Sequence, residues 1–135
     1  MLFGNDKKKV LIVDDDTSLL RQLSFRLKRH EKVDVLLAET GKNGLQEADV
    51  FHPDLIILDW TLPDIQGIDV LTQLRKMPVI KTTPILMLTG HNKIGDVEDA
   101  FKLGANGYMT KPFSLEKLGA KVSEMLNAGR HKQTH

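Results

Sequence analysis

Each of four sites in this chain that could do chemistry lies at or just past the end of an apolar run that is typical of a buried strand. If those strands are parallel, their carboxyl ends meet at one edge of a sheet, and the polar groups converge there. The four sites are Asp14 with Asp15 after residues 10–13, Asp59 after residues 55–58, Thr89 after residues 85–88, and Lys111 before Pro112.

The acidic residues carry the first chemical implication. Three carboxylates held close together cannot all stay ionised without a cation. A hard cation such as Mg²⁺ takes oxygen ligands, and it typically binds through one or two carboxylates together with phosphate and water. The sequence therefore predicts a site that holds Mg²⁺ and a phosphoryl group.

The elements that must position these residues follow from the pattern of apolar residues. Short apolar runs alternate with amphipathic stretches, which predicts an α/β fold with a parallel sheet covered by helices on both faces. A flavodoxin-like (βα)5 open sheet with strand order 2-1-3-4-5 has its switch point between strands 1 and 3. Those strands end in the acidic residues, so topology and motif positions agree. The expected strands cover residues 10–13, 33–38, 55–58, 85–88 and 107–109, with a helix after each.

Local signals set the expected ends of several elements. Thr40 and Gly41 should end the second strand, and Gly104 should close a fourth helix over residues 96–103. Ser114 should cap the last helix. Trp60 lies in the loop after the third strand, where we expect an exposed ring without a function.

Size and composition limit the class of protein. The chain of 135 residues suits one domain, which we assign to residues 1–128, with residues 129–135 as a polar tail or linker stub. The absence of cysteine excludes disulfides and thiolate metal sites. A net charge of +1 does not favour direct binding to nucleic acid, and no apolar run has transmembrane length. A cytoplasmic protein without a membrane partner is the simplest interpretation.

The chain resembles the receiver domain of bacterial two-component response regulators. The resemblance covers about residues 8–126 and is specific because five motifs occur in the family's order. The motifs are residues 11–16, residues 53–59, Leu62 and Pro63 with Gly67, Leu88 with Thr89, and residues 104–105 leading to residues 111–113.

The resemblance implies roles for the acidic residues. Asp59 would be the phosphoacceptor and form an aspartyl phosphate, as carboxylates do in covalent catalysis. Asp15 and Asp59 would bind Mg²⁺ directly, together with the backbone carbonyl of Thr61. Asp14 would act on the metal mostly through water.

The resemblance also implies a switch. Lys111, preceding a cis bond to Pro112, would pair with a phosphoryl oxygen, and the hydroxyl of Thr89 would donate a hydrogen bond to another. Tyr108 occupies the family's switch-aromatic position and would follow Thr89 inward. The residues expected on the responding face, formed by the fourth helix, fifth strand and fifth helix, are Lys93, Glu98, Lys102, Asn106, Tyr108, Lys117 and Lys121.

The partners implied are those of a phosphorelay. The phosphoryl group would come from a sensor histidine kinase or a histidine phosphotransfer protein. The switched face would then bind a partner, or a second copy to form a homodimer, and signal through an output domain or downstream protein. Such a chain is a signalling switch rather than an enzyme, because it catalyses only its own phosphorylation and dephosphorylation.

Three alternatives remain at this point. A haloacid-dehalogenase-type phosphohydrolase would use Asp14–Asp16, but it needs an acidic pair after Lys111, where only Glu116 and Glu124 follow. A nucleotide- or flavin-binding module would need a phosphate-binding fingerprint, which neither glycine-dense turn, residues 41–44 or 104–107, matches. An unphosphorylated receiver-like interaction domain would usually have lost part of the acidic, threonine and lysine set.

Overall fold

The computed structural model describes residues 7–90 and 94–133. Strands and helices alternate throughout this part of the chain. The strands are β1 (Lys9–Val13), β2 (Asp34–Ala38), β3 (Leu55–Asp59), β4 (Ile85–Thr89) and β5 (Gly107–Thr110). The helices are α1 (Thr17–His30), α2 (Gly41–Phe51), α3 (Gly67–Lys76), α4 (Ile94–Lys102) and α5 (Leu115–Gln133).

The strands form one sheet in the order β2-β1-β3-β4-β5, and every pairing is parallel. This confirms the predicted flavodoxin-like order. The strand β1 pairs with β2 on one side and with β3 on the other. The chain therefore reverses its direction of progress across the sheet at β1, and the switch point lies beyond the carboxyl ends of β1 and β3.

Alternate residues of each strand enter two separate hydrophobic layers. In β1, Leu11 and Val13 face the layer that also holds residues of α2, α3 and α4. Val10 and Ile12 face the layer that holds residues of α1 and α5. Every residue of β3 and β4 is buried, as expected for central strands covered by helices on both faces. The rigid centre of the sheet thus fixes the positions of the residues at its carboxyl edge.

The ends of three elements differ from the sequence expectation. Thr40 does not end β2; it is the N-cap of α2, and its side chain accepts a hydrogen bond from the N–H of Asn43. Gly41 is the first residue of that helix. The helix α4 begins at Ile94, and α5 continues to Gln133, beyond the boundary predicted at residue 128. The division into domain and tail stays a prediction.

The expectation that Trp60 is exposed is wrong. Its side chain is buried, with 9% of its surface accessible, and belongs to the hydrophobic layer under α2, α3 and α4. The N–H of Trp60 donates to the carbonyl of Leu88, which continues the pairing of β3 with β4 by one residue. This extra pairing turns the ring inward. No helix in the described part of the chain has the length and apolar character needed to cross a bilayer.

Candidate functional site

Three carboxylates meet at the carboxyl edge of the sheet. Asp14 directly follows β1 and is fully buried, and Asp59 is the last residue of β3 and is nearly buried. Asp15 is exposed at the mouth of the site. One oxygen from each of these residues lies within 4.8 Å of the others, a grouping that could hold a metal ion. The structure thus brings together the three acids that the sequence singled out.

Lys111 bridges two of these carboxylates. Its Nζ lies 3.0 Å from Oδ2 of Asp14 and 3.3 Å from Oδ1 of Asp59. Partial burial disfavours the lysine charge, but the hydrogen bond and charge of Asp14, followed by those of Asp59, outweigh it and raise the pKa of Lys111. The site therefore keeps a fixed positive charge beside its acids.

The pKa of Asp59 differs from that of an ordinary surface acid. Burial, followed by repulsion from Asp14, raises the pKa of Asp59 from 3.8 to about 6, although the charge of Lys111 and the N–H of Thr61 act in the opposite direction. One lysine thus does not fully compensate the charge of the cluster. An additional cation would relieve this repulsion, so the residues present fit a divalent metal.

The remaining predicted residues surround this cluster. Thr89 is the last residue of β4 and is fully buried. Its carbonyl accepts a hydrogen bond of 2.7 Å from the N–H of Lys111, which ties the connection after β5 to the end of β4. The backbone N–H of Thr61 donates to the Asp59 carboxylate, while the Thr61 side chain is exposed. The cis bond expected between Lys111 and Pro112 is present.

Tyr108 lies on β5, the strand beyond β4, and is thus further from the acids than Thr89. It is paired with Met87 in the register of β4 and β5, and its half-buried ring packs against the layer under α2, α3 and α4. It is thus on the strand next to Thr89, but its switch role stays a prediction. Lys93, predicted on the responding face, lies outside the described residues.

The sequence interpretation missed two polar side chains that join loops to helices, Asp64 at the edge of the sheet that carries the site and Arg75 at the opposite edge. Asp64, in the loop after β3, accepts hydrogen bonds from the N–H groups of Gly41 and Lys42 at the start of α2. Arg75 of α3 donates to the carbonyls of Ile80, Lys81, Thr83 and Gly104 and to the Asn106 side chain. The contacts of Asp64, and those of Arg75 with Gly104 and Asn106, join residues at least 22 positions apart, so no local pattern indicates them.

These two side chains also bear on the alternative interpretations. Asp64 occupies the N–H groups of the first glycine-dense turn, and the side chain of Arg75 fills the space beside Gly104 in the second. Glu116 and Glu124, which a phosphohydrolase would need near its metal, are exposed on α5. The two turns are thus engaged in other contacts, and the two acids lie exposed on α5.

The fold and the site define a class of protein, namely a doubly wound α/β domain with a cluster of acids and a lysine at its switch point. The family model of the response regulator receiver domain matches residues 10–123. The chain belongs to this family, which serves two-component signalling.

The similarity to individual proteins supports the same family membership. The chain is 42% identical over 119 residues to the alkaline phosphatase synthesis transcriptional regulatory protein PhoP of Bacillus subtilis, covering 88% of this chain and 48% of that protein. It is similar in structure to a CheY-like receiver domain protein from Methanospirillum hungatei, with a TM-score of 0.87, 28% identity and coverage of 94% of this chain and 99% of that one.

A further solved structure contains a metal. The receiver domain of the sensor histidine kinase PA1611 from Pseudomonas aeruginosa has a magnesium ion coordinated in its active-site cleft. It matches with a TM-score of 0.79 and 25% identity, over 90% of this chain and 98% of that one. The present chain spans about half the length of the curated relatives it matches.

Proposed function

We propose that this chain is a phosphoacceptor domain in which Asp59 takes a phosphoryl group from a phosphohistidine of a sensor kinase or phosphotransfer protein. The observation that carries the proposal is the placement of the Asp59 carboxylate beside a second buried acid, Asp14, with the ammonium group of Lys111 bridging the two. A nucleophile, a fixed cation and a set of metal-type ligands share one edge of the sheet.

The chemical step is a displacement at phosphorus. An oxygen of ionised Asp59 attacks, the P–N bond of the donor breaks, and the imidazole nitrogen leaves with the bond's electron pair. Asp15, Asp59 and the carbonyl of Thr61 would hold Mg²⁺, whose positive charge would stabilise the oxygens of the group in transfer. The acid cluster and the magnesium-bound neighbour support this assignment.

Lys111 and Thr89 complete the site. The Lys111 ammonium, now shared between Asp14 and Asp59, would shift to an oxygen of the phosphoryl group once Asp59 carries that group as an acyl phosphate. The Thr89 hydroxyl would donate to another oxygen. Because the Thr89 carbonyl is bonded to the N–H of Lys111, the two residues would respond together.

The switched surface is the α4-β5-α5 face. Its described members include exposed Glu98, Lys102, Asn106 and Lys117, with the apolar side chains of Phe101 and Leu103 also exposed on or just after α4. Phosphorylation would act by shifting the population between two states, so a partner must bind these states differently. The partner would be a second copy of the chain, an output domain or a downstream protein.

A surface for the phosphodonor protein adjoins the site. A cavity of about 390 Å³ is lined by Leu19, Lys111, Pro112 and Phe113. A second, of about 410 Å³, lies further along α1 beside Phe25, whose side chain is 67% exposed. A donor seated over these cavities would reach Asp59 from the Lys111 side.

The cytoplasmic location predicted from composition belongs to this proposal, and cell fractionation tests it.

Chemical identification of the phosphorylated group tests the proposal. We expect phosphoramidate, a small donor with a P–N bond, to yield an adduct that hydroxylamine removes, as it does from an acyl phosphate. In a separate sample without hydroxylamine, borohydride reduction of the acyl phosphate should convert residue 59 to homoserine in the peptide map. A stable phosphoester on Ser or Thr, or a reduced residue elsewhere, would contradict the assignment to Asp59.

A further inference from the structure

The loop from Trp60 to Gln66 leads out of the site and carries Thr61. It is closed at its base, where the N–H of Gly67 donates to the carbonyl of Trp60 at 2.6 Å. A Cβ on Gly67 would collide with the carbonyl oxygen of Asp59, so the return of the loop passes directly against the site. The position of Thr61 therefore depends on what holds the rest of this loop.

Asp64 holds the loop to the start of α2. Its Oδ1 accepts the N–H of Gly41 at 2.8 Å, and its Oδ2 accepts the N–H of Lys42 at 2.9 Å. These bonds lower the pKa of Asp64, and a carboxylate at a helix N-terminus also interacts favourably with the helix dipole. The helix already has a local cap, because Thr40 accepts the N–H of Asn43.

Packing reinforces the same connection. A Cβ on Gly41 would collide with the side chain of Ile65, so the missing side chain lets the loop seat on the helix. One turn later, a Cβ on Gly44 would lie 2.8 Å from Val13, which directly precedes Asp14. The first turn of α2 thus touches the loop on one side and the end of β1 on the other.

We propose that Asp64 is a positioning residue for the metal site. By clamping the loop to α2, it fixes the Thr61 backbone relative to the acids at the ends of β1 and β3. This inference rests on the proposed function, because it concerns the Mg²⁺ that Asp59 and Asp15 would hold. Residues that orient metal ligands typically change metal affinity about 10- to 100-fold when they are replaced, and Asp64 would act in this way through the loop backbone.

The test compares Asp64→Ala with Thr40→Ala. Both changes remove a cap of α2, but only the first releases the loop. Mg²⁺ affinity is measured from the amide shifts of Asp59 and Thr61 in ¹H–¹⁵N spectra. Hydrogen exchange of the Thr61 amide is measured without metal. We expect Asp64→Ala to weaken Mg²⁺ binding about 10-fold and to speed exchange of that amide, and Asp64→Asn to fall between it and the wild type.

Thr40→Ala should lower the unfolding midpoint while leaving both readouts at the wild-type value. Equal effects of Thr40→Ala and Asp64→Ala on Mg²⁺ affinity, or no effect of Asp64→Ala, would overturn the positioning role alone. Failure of the wild type to bind Mg²⁺, or equal binding by Asp59→Asn, would instead overturn the proposed function and this inference with it.

Discussion

The ammonium nitrogen of Lys111 lies 3.0 Å from Oδ2 of Asp14, although 97 positions separate the two residues. The other oxygen of Asp14 accepts the N–H of Asp16 at 2.9 Å. Both oxygens of this buried carboxylate are therefore engaged by protein donors. This fits a role for Asp14 that reaches the metal through water. It also means that Lys111 must leave a strong partner before it can bind a phosphoryl oxygen.

Replacing Lys111 by Met should destabilise the metal-free protein. The change leaves Asp14 and Asp59 buried without their cation, which should cost about 1–3 kcal/mol of unfolding free energy at neutral pH. Urea denaturation in EDTA measures it. The matched change Lys121→Met removes only an exposed pair with Glu124, 3.3 Å apart, and should cost less than about 1 kcal/mol. Equal losses for the two variants would contradict the bridging role.

Replacement of Asp15 and replacement of the adjacent Asp16 should differ in their effect on the stabilisation of the protein by Mg²⁺. Asp15→Ala should abolish the stabilisation of the protein by Mg²⁺, which for a single site is about 1.4 kcal/mol at ten times Kd. Its metal-free stability should not fall, because the exposed carboxylate only adds negative charge there. Asp16→Ala should lose about 1 kcal/mol through the N-cap of α1 yet keep the Mg²⁺ effect. Thermal unfolding with Mg²⁺ and with EDTA distinguishes the two.

The stability of the metal-free protein should depend on the ionisation of Asp59. The folded-state pKa of about 6 lies above the ordinary value of 3.8. The protonated acid thus favours folding below pH 3.8, and this contribution is lost as pH rises through 6. Asp59→Asn should therefore be more stable than the wild type at pH 7.5, by about 1–3 kcal/mol.

The advantage of Asp59→Asn should shrink towards pH 4, where the wild-type acid is largely protonated. The ¹³C shift of the Asp59 carboxyl carbon gives the titration directly in EDTA. A midpoint near 4, together with a stability difference that does not vary between pH 4 and pH 7.5, would contradict the prediction.

Thr89→Val should separate the hydroxyl group from the packing at the end of β4. Valine has nearly the same shape, so the buried position stays filled, but no hydrogen bond can reach the phosphoryl group. Since a hydrogen bond to a charged group contributes about 1.5–3 kcal/mol, phosphoryl uptake should slow about 10- to 100-fold. Thr89→Ser should retain most of the rate. Stopped-flow fluorescence of Trp60, which directly follows Asp59, follows the reaction.

The sequence predicts the fold well where local patterns determine it. The central strands β3 and β4 are continuous apolar runs because helices cover both of their faces, so their positions agree closely with expectation. Thr40 was misplaced because threonine ends a strand and caps a helix equally well. Trp60 was misplaced because its burial depends on a pairing with Leu88 across the sheet, which no local signal reveals.

The same distinction between local patterns and tertiary contacts applies to the site. Parallel strands force Asp14 and Asp59 to one edge of the sheet, and spacing alone indicates this. The bidentate contact of Asp64 with the start of α2 spans 22 and 23 positions and depends on the path of a loop. The contacts of Arg75, at the opposite edge of the sheet, likewise depend on how the end of α3 meets the two connections that precede β4 and β5. Such contacts are set by tertiary packing, so only the structure shows them.

The proposed function requires that Asp59 accepts a phosphoryl group in a site that depends on Mg²⁺. Intact mass after incubation with phosphoramidate, with Mg²⁺ or with EDTA, tests it most directly on the wild type and Asp59→Asn. We expect one added phosphoryl group on the wild type with Mg²⁺, and none with EDTA or on the variant. Phosphate released from the donor in the same tubes reports an adduct that hydrolyses too fast to be weighed. An adduct of equal yield on Asp59→Asn, or neither adduct nor release on the wild type, would contradict the proposed role of Asp59.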